Sequence, residues 1–175
     1  MVAVASTVYV IDTCALMDLQ GYNVGSEITV DENVRECLWQ GLERLIDDKR
    51  LLTVRAVRDE LKRRAPICYD RLKPRFRRFV VRDSVGLFTE VIRIQDTYPA
   101  LVRDLEKRTN GRDPADPYLV AHAKLNGHVL VTSELGRSQR TRNNRRGIHI
   151  PDVCSTESII CKNLIDLITE ESLWP

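Results

Sequence analysis

The run Thr7-Val8-Tyr9-Val10-Ile11 constrains the fold more than any other segment, because it is nearly continuous in apolar and β-branched residues. Such a run is typical of a strand buried on both faces, which occurs in parallel sheets covered by helices. Asp12 ends the run, and a short helical pattern follows it and stops at Gly21. The beginning of the chain therefore predicts a central strand that leads directly into a helix.

The remaining pattern alternates strands with helices. Further strands are predicted over Leu51–Val54, His128–Thr132 and Gly147–Ile150, with Phe79–Val81 as a brief additional candidate. Helices are predicted over Asp31–Asp48, around Val57 and Leu61, over Ser84–Asp96, from Pro117 to Asn126, over Ser155–Cys161 and over Leu164–Glu171. Strand and helix alternation predicts an α/β fold with a central parallel β-sheet of about four strands and helices on both faces. With 175 residues and no visible repeat or linker, residues 1–175 form one predicted domain.

Composition and cysteine content narrow the class of protein. The chain is 43% hydrophobic and 30% charged, which excludes disordered and low-complexity classes. Its net charge of +2 is too small for whole-molecule attraction to polyanions. Five cysteines without a Cys-x-x-Cys pair indicate reduced thiols, and the apolar start lacks the basic region of a signal peptide and is too short to span a membrane. These features predict a cytoplasmic location and no membrane association.

Four acidic residues are predicted to meet at one edge of the sheet. Asp12 ends the first strand, Glu60 lies in the helix after the second, and Glu134 follows the third. Asp116 suits the N-cap of the helix that opens at Pro117 and returns to the third strand, so it should lie at the same edge. Asp113 lies in a similar Asp-Pro context and is an alternative to Asp116, although the apolar helix begins directly after Asp116.

A cluster of four carboxylates would repel itself unless a cation neutralised it. Oxygen ligands without a cysteine or histidine set favour Mg²⁺ or Mn²⁺ over zinc. Ions of this kind activate water and stabilise the leaving oxygen in phosphodiester hydrolysis. The four acids therefore predict a metal-dependent nuclease site.

Four segments, in this order, resemble the PIN-domain ribonucleases. They are Val10-Ile11-Asp12-Thr13 with Ala15-Leu16, Val57-Arg58-Asp59-Glu60-Leu61, Ala115-Asp116-Pro117-Tyr118-Leu119-Val120-Ala121-His122-Ala123, and Val131-Thr132-Ser133-Glu134. The tail Ile148-His149-Ile150-Pro151-Asp152-Val153-Cys154 resembles a PIN-related bacterial branch of poorly defined function. The resemblance spans about residues 7–154.

The resemblance implies an endoribonuclease that uses Mg²⁺ or Mn²⁺ to cleave single-stranded RNA, often as the VapC-type toxin of a toxin–antitoxin pair. Carried over by position, it implies that Asp12, Glu60 and Asp116 are metal ligands and that Glu134 is the fourth acid. It places the Thr132 hydroxyl near the metal. The implied partners are single-stranded RNA, an antitoxin protein and a second copy of the chain in a homodimer. Many family members carry another residue where Glu134 stands, so this position departs from the pattern.

Structural roles also explain the acids one at a time. Asp12 and Asp116 could serve only as helix N-caps, and Glu60 could be a solvated helix charge. The alternative function is a noncatalytic PIN-like module that binds RNA or a protein. A phosphatase with Asp12 as nucleophile is set aside, because the second aspartate it needs is replaced by Cys14.

Two basic stretches are candidates for phosphate contact. Lys62–Arg82 contains nine basic residues and one acid, and Arg137–Arg146 contains five arginines and no acid. The predicted RNA contacts are Arg75, Arg77, Arg78, Arg137, Arg140 and Arg142. The alternative is that the first stretch is a solvated helix face and the second a surface loop.

Overall fold

The predicted first strand lies at the centre of the sheet. The structure, a computed structural model, describes residues 6–21, 30–102, 114–140 and 147–175. Its strands are β1 (Tyr9–Ile11), β2 (Leu51–Leu52), β3 (Val129–Val131) and β4 (Cys161–Lys162). They pair in the order β2-β1-β3-β4, and every pairing is parallel. β1 and β3 are buried throughout, as the apolar runs predict for interior strands covered on both faces.

Helices surround this sheet and form a single domain with it. They are α1 (Thr13–Gln20), α2 (Glu32–Asp47), α3 (Arg55–Arg64), α4 (Pro66–Leu72), α5 (Phe76–Phe79), α6 (Val85–Thr97), α7 (Ala115–Asn126), α8 (Ile150–Glu157) and α9 (Leu164–Glu170). Short 3₁₀ turns lie at Lys73–Arg75 and Pro99–Val102. The mixed α/β fold with four parallel strands confirms the predicted fold class.

Helix ends follow local signals in the sequence. Asp31 caps α2 by accepting hydrogen bonds from the backbone N–H groups of Asn33 and Val34. Gly21 and Gly127 follow α1 and α7 with φ angles of 79° and 64°, a left-handed conformation that glycine adopts without steric cost. These boundaries agree with the sequence predictions.

The predicted fourth strand is wrong. Gly147–Ile150 contains no strand, and Ile150 instead begins α8, where the side chains of His149 and Asp152 form a reciprocal capping box. Pro151 in the first turn of α8 favours the helix, since proline fixes a helical φ angle and needs no hydrogen-bond acceptor there. The fourth strand is Cys161–Lys162, at the end of a segment predicted as helix.

Two smaller predictions also change. The helix that carries Asp116 begins at Ala115, so Asp116 lies in its first turn and Pro114 occupies the N-cap position. Phe79 ends α5, and Val80 makes an isolated parallel bridge with Thr53 in place of a strand. The predicted element around Phe79–Val81 is therefore reduced to one pair of residues beside β2.

All five cysteines are free thiols. Within the described ranges, no helix is both long enough and apolar enough to cross a membrane.

Candidate active site

Asp12 lies at the carboxyl end of β1, where the chain turns into α1. Its side chain is buried, with 5% of the residue exposed. Oδ1 accepts a hydrogen bond from the backbone N–H of Thr13 at 2.6 Å. Oδ2 accepts from the Cys14 thiol at 2.7 Å and from the Thr132 hydroxyl at 3.0 Å. Asp12 therefore caps α1, as the structural alternative predicted, and also takes part in a buried polar network.

Two further carboxylates act on Asp12. Burial raises the pKa of Asp12 from its ordinary 3.8 to about 6, and the negative charges of Asp116 and Glu60 act in the same direction. The hydrogen bonds from Cys14 and Thr132 oppose this shift, because they stabilise the charged carboxylate. Asp116 is itself buried, with 7% exposed. The fold thus brings two of the other predicted acids, Asp116 and Glu60, within electrostatic reach of Asp12.

Thr13 connects two of these acids. Its hydroxyl donates to Oε2 of Glu60 at 2.7 Å, while its backbone N–H donates to Asp12. Glu60 comes from α3 and Asp12 from the end of β1, so this contact joins residues 47 positions apart across the carboxyl edge of the sheet. The sequence predicted the acids but not this bridge, although the position of Thr13 beside Asp12 was a usable signal.

Cys14 is a second member of the network that the sequence analysis missed. Burial and the nearby Asp12 charge raise the pKa of the Cys14 thiol well above its ordinary value. The thiol therefore stays protonated and donates a hydrogen bond to Asp12. The backbone N–H of Ser133 donates to the Cys14 sulfur at 3.3 Å. Cys14 therefore connects the first turn of α1 to the segment that follows β3.

Thr132 directly follows β3 and contacts Asp12. It is 2% exposed, its hydroxyl donates to Asp12, and its Oγ1 accepts from the backbone N–H of Glu134 at 3.1 Å. β1 and β3 are adjacent parallel strands, so the residues directly after them share one edge of the sheet. This register explains why Asp12 and Thr132 meet.

Glu134 contacts another part of the molecule. Its Oε2 accepts a hydrogen bond from the backbone N–H of Ile150, the first residue of α8, at 2.9 Å. A carboxylate at this position stabilises the N-terminus of a helix. Glu134 therefore has a structural role that the sequence analysis did not foresee.

The acids offer an all-oxygen donor set but are not gathered around a single point. Among the described residues, no group of three or more histidine, cysteine, aspartate or glutamate side chains is placed to hold a metal ion. Oxygen atoms of Asp12 and Glu60 accept the hydrogen bonds of Thr13, Cys14 and Thr132. Each carboxylate oxygen has two lone pairs, so these hydrogen bonds orient the two side chains and leave lone pairs for a metal ion.

The first basic stretch is partly neutralised by α2. Arg75 pairs with Glu43 at 3.4 Å and with Asp47 at 3.2 Å, and Arg78 pairs with Asp47 at 2.9 Å. These pairs connect the region of α5 to α2 and reduce the local positive charge. Arg77 is exposed on α5.

The second basic stretch is only partly described. The side chain of Arg140 is 2% exposed and pairs with Asp152 at 2.6 Å, so its guanidinium is not presented to solvent. Arg137 is exposed, and its backbone N–H donates to Asp152. Arg142 and the alternative acid Asp113 lie outside the described residues.

Comparison with known proteins gives a family but no activity. A family model described as a domain of unknown function (DUF4411) matches residues 9–174. The crystal structure of PAE2754 from Pyrobaculum aerophilum is similar, with a TM-score of 0.48 and 16% identity over 95% of this chain and 97% of that chain. No curated protein matches the chain.

Proposed function

We propose that this chain, which belongs to the DUF4411 family of unknown function, is a PIN-type endoribonuclease that hydrolyses phosphodiester bonds of single-stranded RNA with Mg²⁺ or Mn²⁺. The observation that carries the proposal is the juxtaposition of Asp12 and Asp116, two buried carboxylates whose repulsion contributes to the raised pKa of Asp12. Buried like charges cost stability, so a fold that brings them together is a candidate for a functional site.

The chemistry of these side chains suits a hard divalent cation. Asp12, Asp116 and Glu60 offer only oxygen donors, and a cation among them would relieve their repulsion. When bound, such an ion activates a water molecule and neutralises charge on the phosphodiester. Glu134 is left out of the proposed ligand set, because its carboxylate binds the N-terminus of α8.

The remaining residues of the network hold the carboxylates in place. The Thr132 hydroxyl and the Cys14 thiol both donate to Oδ2 of Asp12, which fixes the orientation of this carboxylate. The Thr13 hydroxyl does the same for Glu60. At a pH below about 6, Asp12 binds a proton, and a cation then has to compete with that proton for the same oxygens.

Exposed arginines supply the proposed phosphate contacts. Arg77 and Arg137 are exposed, whereas Arg75 and Arg78 pair with acids of α2. RNA binding would therefore depend mainly on Arg77 and Arg137, with Arg75 and Arg78 contributing when their ion pairs open.

A noncatalytic RNA-binding module is the second candidate. One observation in its favour is that Glu134 caps α8. The other is that no three histidine, cysteine, aspartate or glutamate side chains among the described residues are placed to bind one metal ion. Such a module would bind RNA equally well with and without a divalent cation and would leave it intact.

A cleavage assay tests the proposal. Purified protein is incubated with labelled single-stranded RNA in Mg²⁺, in Mn²⁺ and in EDTA. We expect cleavage only with the cations, and we expect Asp116→Asn to reduce the rate by about a hundredfold or more. Asp31→Asn is the matched control, because Asp31 is an exposed N-cap far from the cluster in sequence and asparagine caps nearly as well. Cleavage that persists in EDTA and in Asp116→Asn would remove this mechanism.

The proposed biological setting follows the same resemblance. We propose a cytoplasmic protein with reduced thiols that acts as the toxin of a toxin–antitoxin pair and binds an antitoxin and a second copy of itself. Co-expression with the product of any small neighbouring reading frame, followed by purification and sizing, tests the two protein partners. A neighbour that neither binds the chain nor suppresses cleavage would contradict the antitoxin assignment.

A further inference from the structure

A pocket lies between α3, α6 and α7, and two of these helices, α3 and α7, also carry acids of the proposed site. Its volume is about 660 Å³, within the range of roughly 300 to 1,000 Å³ that is typical of small-ligand sites. The lining side chains include aromatic, basic and acidic residues: Arg55, Lys62, Arg63, Asp83, Phe88 and Tyr118. None of them belongs to the proposed metal site, and two of them, Lys62 and Arg63, begin the first basic stretch.

Two aromatic rings form one wall of the pocket. Phe88 of α6 and Tyr118 of α7 stand edge to face, with ring centroids 6.2 Å apart and an interplanar angle of 87°. Phe88 is 43% exposed, so a ligand can reach its ring from solvent. Perpendicular rings at a pocket wall present a flat aromatic face on which a planar ligand can stack.

The aromatic residues of the first basic stretch are placed differently. Phe79 is fully buried, and Tyr69 packs edge to face on Phe76 with centroids 5.0 Å apart. Tyr69 and Phe76 also pack against the hydrophobic core. None of these three rings is as exposed as Phe88 in the pocket.

The charges of the pocket favour a nucleobase with its phosphate over a bare anion. Asp83 pairs with Arg55 at 3.2 Å, and Asp59 pairs with its neighbour on α3 at 2.8 Å. In the described part of the chain, no carboxylate forms an ion pair with Lys62 or Arg63, so both cations can meet a phosphate. The two aspartates would repel an acidic peptide, whereas a base offers amino groups to carboxylate oxygens.

The pocket shares its two supporting helices with the acid cluster. α3 carries Glu60 next to the pocket residue Asp59, and α7 carries Asp116 two residues before Tyr118. α3 and α7 also pack against each other. Adjacent positions on a helix point about 100° apart and positions two apart about 200° apart, so the pocket and the carboxylates occupy different faces of the same two helices. An RNA strand that contacts both has to cross from one face to the other.

We infer that this pocket binds a nucleobase of the RNA strand, with the face of the base on one of the two perpendicular rings of Phe88 and Tyr118 and its edge against the other. The inference rests on the proposed function for the identity of the ligand. It adds a base-binding subsite to an interface that otherwise recognises the phosphate backbone. Base stacking of this kind tolerates any sequence but requires a base to be present.

Binding in EDTA tests the subsite without cleavage. The probes are a fluorescein-labelled single-stranded RNA of roughly 12 nucleotides and an abasic strand with the same number of phosphates. We expect Phe88→Leu and Tyr118→Leu each to weaken RNA binding by about 5- to 150-fold, the change that corresponds to the loss of about 1 to 3 kcal/mol of stacking. Binding of the abasic strand should change by less than about twofold, since stacking contributes nothing to it.

Two further variants serve as controls. Ile92→Ala removes an exposed apolar side chain from the same helix as Phe88 but outside the pocket lining, and it should leave binding unchanged. Tyr118→Phe keeps the ring and should retain RNA binding, which separates stacking from the loss of the hydroxyl. Thermal melts of all variants identify any that fail to fold, and the inference then depends on the variant that melts like wild type.

The outcomes separate this inference from the proposed function. Equal loss of binding for RNA and abasic strand, or no loss for either, would overturn the base subsite even if metal-dependent cleavage is found. Base-dependent binding that is lost in both leucine variants would support the subsite, and absence of cleavage under all conditions would then remove only the nuclease proposal.

Discussion

Replacing Asp12 with asparagine tests the buried carboxylate cluster through its effect on stability. Asp12 is 5% exposed and has a pKa of about 6 in the folded protein, against 3.8 for an ordinary aspartate. Because the folded state binds the proton more tightly, protonation adds stability that is complete below about pH 3.8 and is lost as the pH rises through about 6. At pH 7 the charged carboxylate therefore destabilises the fold.

The size of this effect follows from the shift. A difference of about two pKa units corresponds to roughly 3 kcal/mol between the protonated and charged forms. Asparagine removes the charge but offers one acceptor oxygen where Asp12 uses two, and this loss costs about 1 kcal/mol. We expect the metal-free Asp12→Asn variant to be about 2 kcal/mol more stable than wild type at pH 7, or roughly 4 to 8 °C in Tm.

Urea unfolding in EDTA at pH 7 and pH 4.5 measures the effect. At pH 4.5 protonation of Asp12 raises the free energy of unfolding of wild type by about 2 kcal/mol, so the difference in stability between variant and wild type should shrink to near zero. Groups that do not interact with Asp12 titrate equally in both proteins, so the change in the difference between the two reports on Asp12 and on the acids that interact with it. Asp31→Asn is the control, since an exposed aspartate cap replaced by asparagine should change stability little at either pH.

One result refutes the reasoning. If Asp12→Asn is less stable than wild type by the same amount at both pH values, Asp12 acts only as a helix cap and carries no repulsive charge. If millimolar Mg²⁺ does not raise the Tm of wild type, the proposal that a cation neutralises the carboxylates is also contradicted.

Four further predictions concern single residues. RNA cleavage should decline as the pH falls below about 6, because Asp12 then binds a proton, and a rate profile that is flat from pH 7 to pH 5 would contradict this. Glu134→Ala should lower stability in urea by about 1 kcal/mol, through the lost contact with Ile150, yet retain metal-dependent cleavage; loss of cleavage in a folded variant would return Glu134 to the site. Burial and a neighbouring histidine lower the pKa of His122 to about 4. Neutral His122 therefore contributes stability that is fully present above pH 6.5 and is lost as the pH falls through 4. In His122→Gln, Tm should depend less on pH between 6.5 and 4 than it does in wild type. Arg77→Glu should weaken RNA binding and lower the slope of log affinity against log salt concentration by about 1 to 2, because fewer counterions are released. Unchanged affinity would show that Arg77 does not contact the RNA.

Much of the fold was predictable because its signals are local. The apolar run of β1 specifies a buried strand by itself, and Asp31, Gly21 and Gly127 mark helix ends through their own side-chain or backbone chemistry. β4 was not predicted, because its two residues lie at the end of a segment whose pattern favoured a helix, whereas the equally short β2 opens the apolar run Leu51–Val54.

The site was predictable to the extent that it depends on topology. The carboxyl ends of adjacent parallel strands must meet, so the proximity of Asp12 and Thr132 follows from strand order. The orientation of Glu134 was not predictable, since it depends on where α8 begins, and that helix was predicted as a strand. The burial of Arg140 was not predictable from the number of charges, because its partner Asp152 lies on that same helix.

The parallel order of the sheet also determines when the site can exist during folding. Asp12 and Thr132 are 120 positions apart in the chain, and they meet only after β1 has paired with β3. Pairing over such a separation closes a long loop, which is characteristic of slow folding transitions. Until that step, β1 exposes apolar edges to other chains. Molecules in which β1 has not yet paired with β3 therefore lack the contact between Asp12 and Thr132, and the formation of this contact marks the pairing of the two central strands.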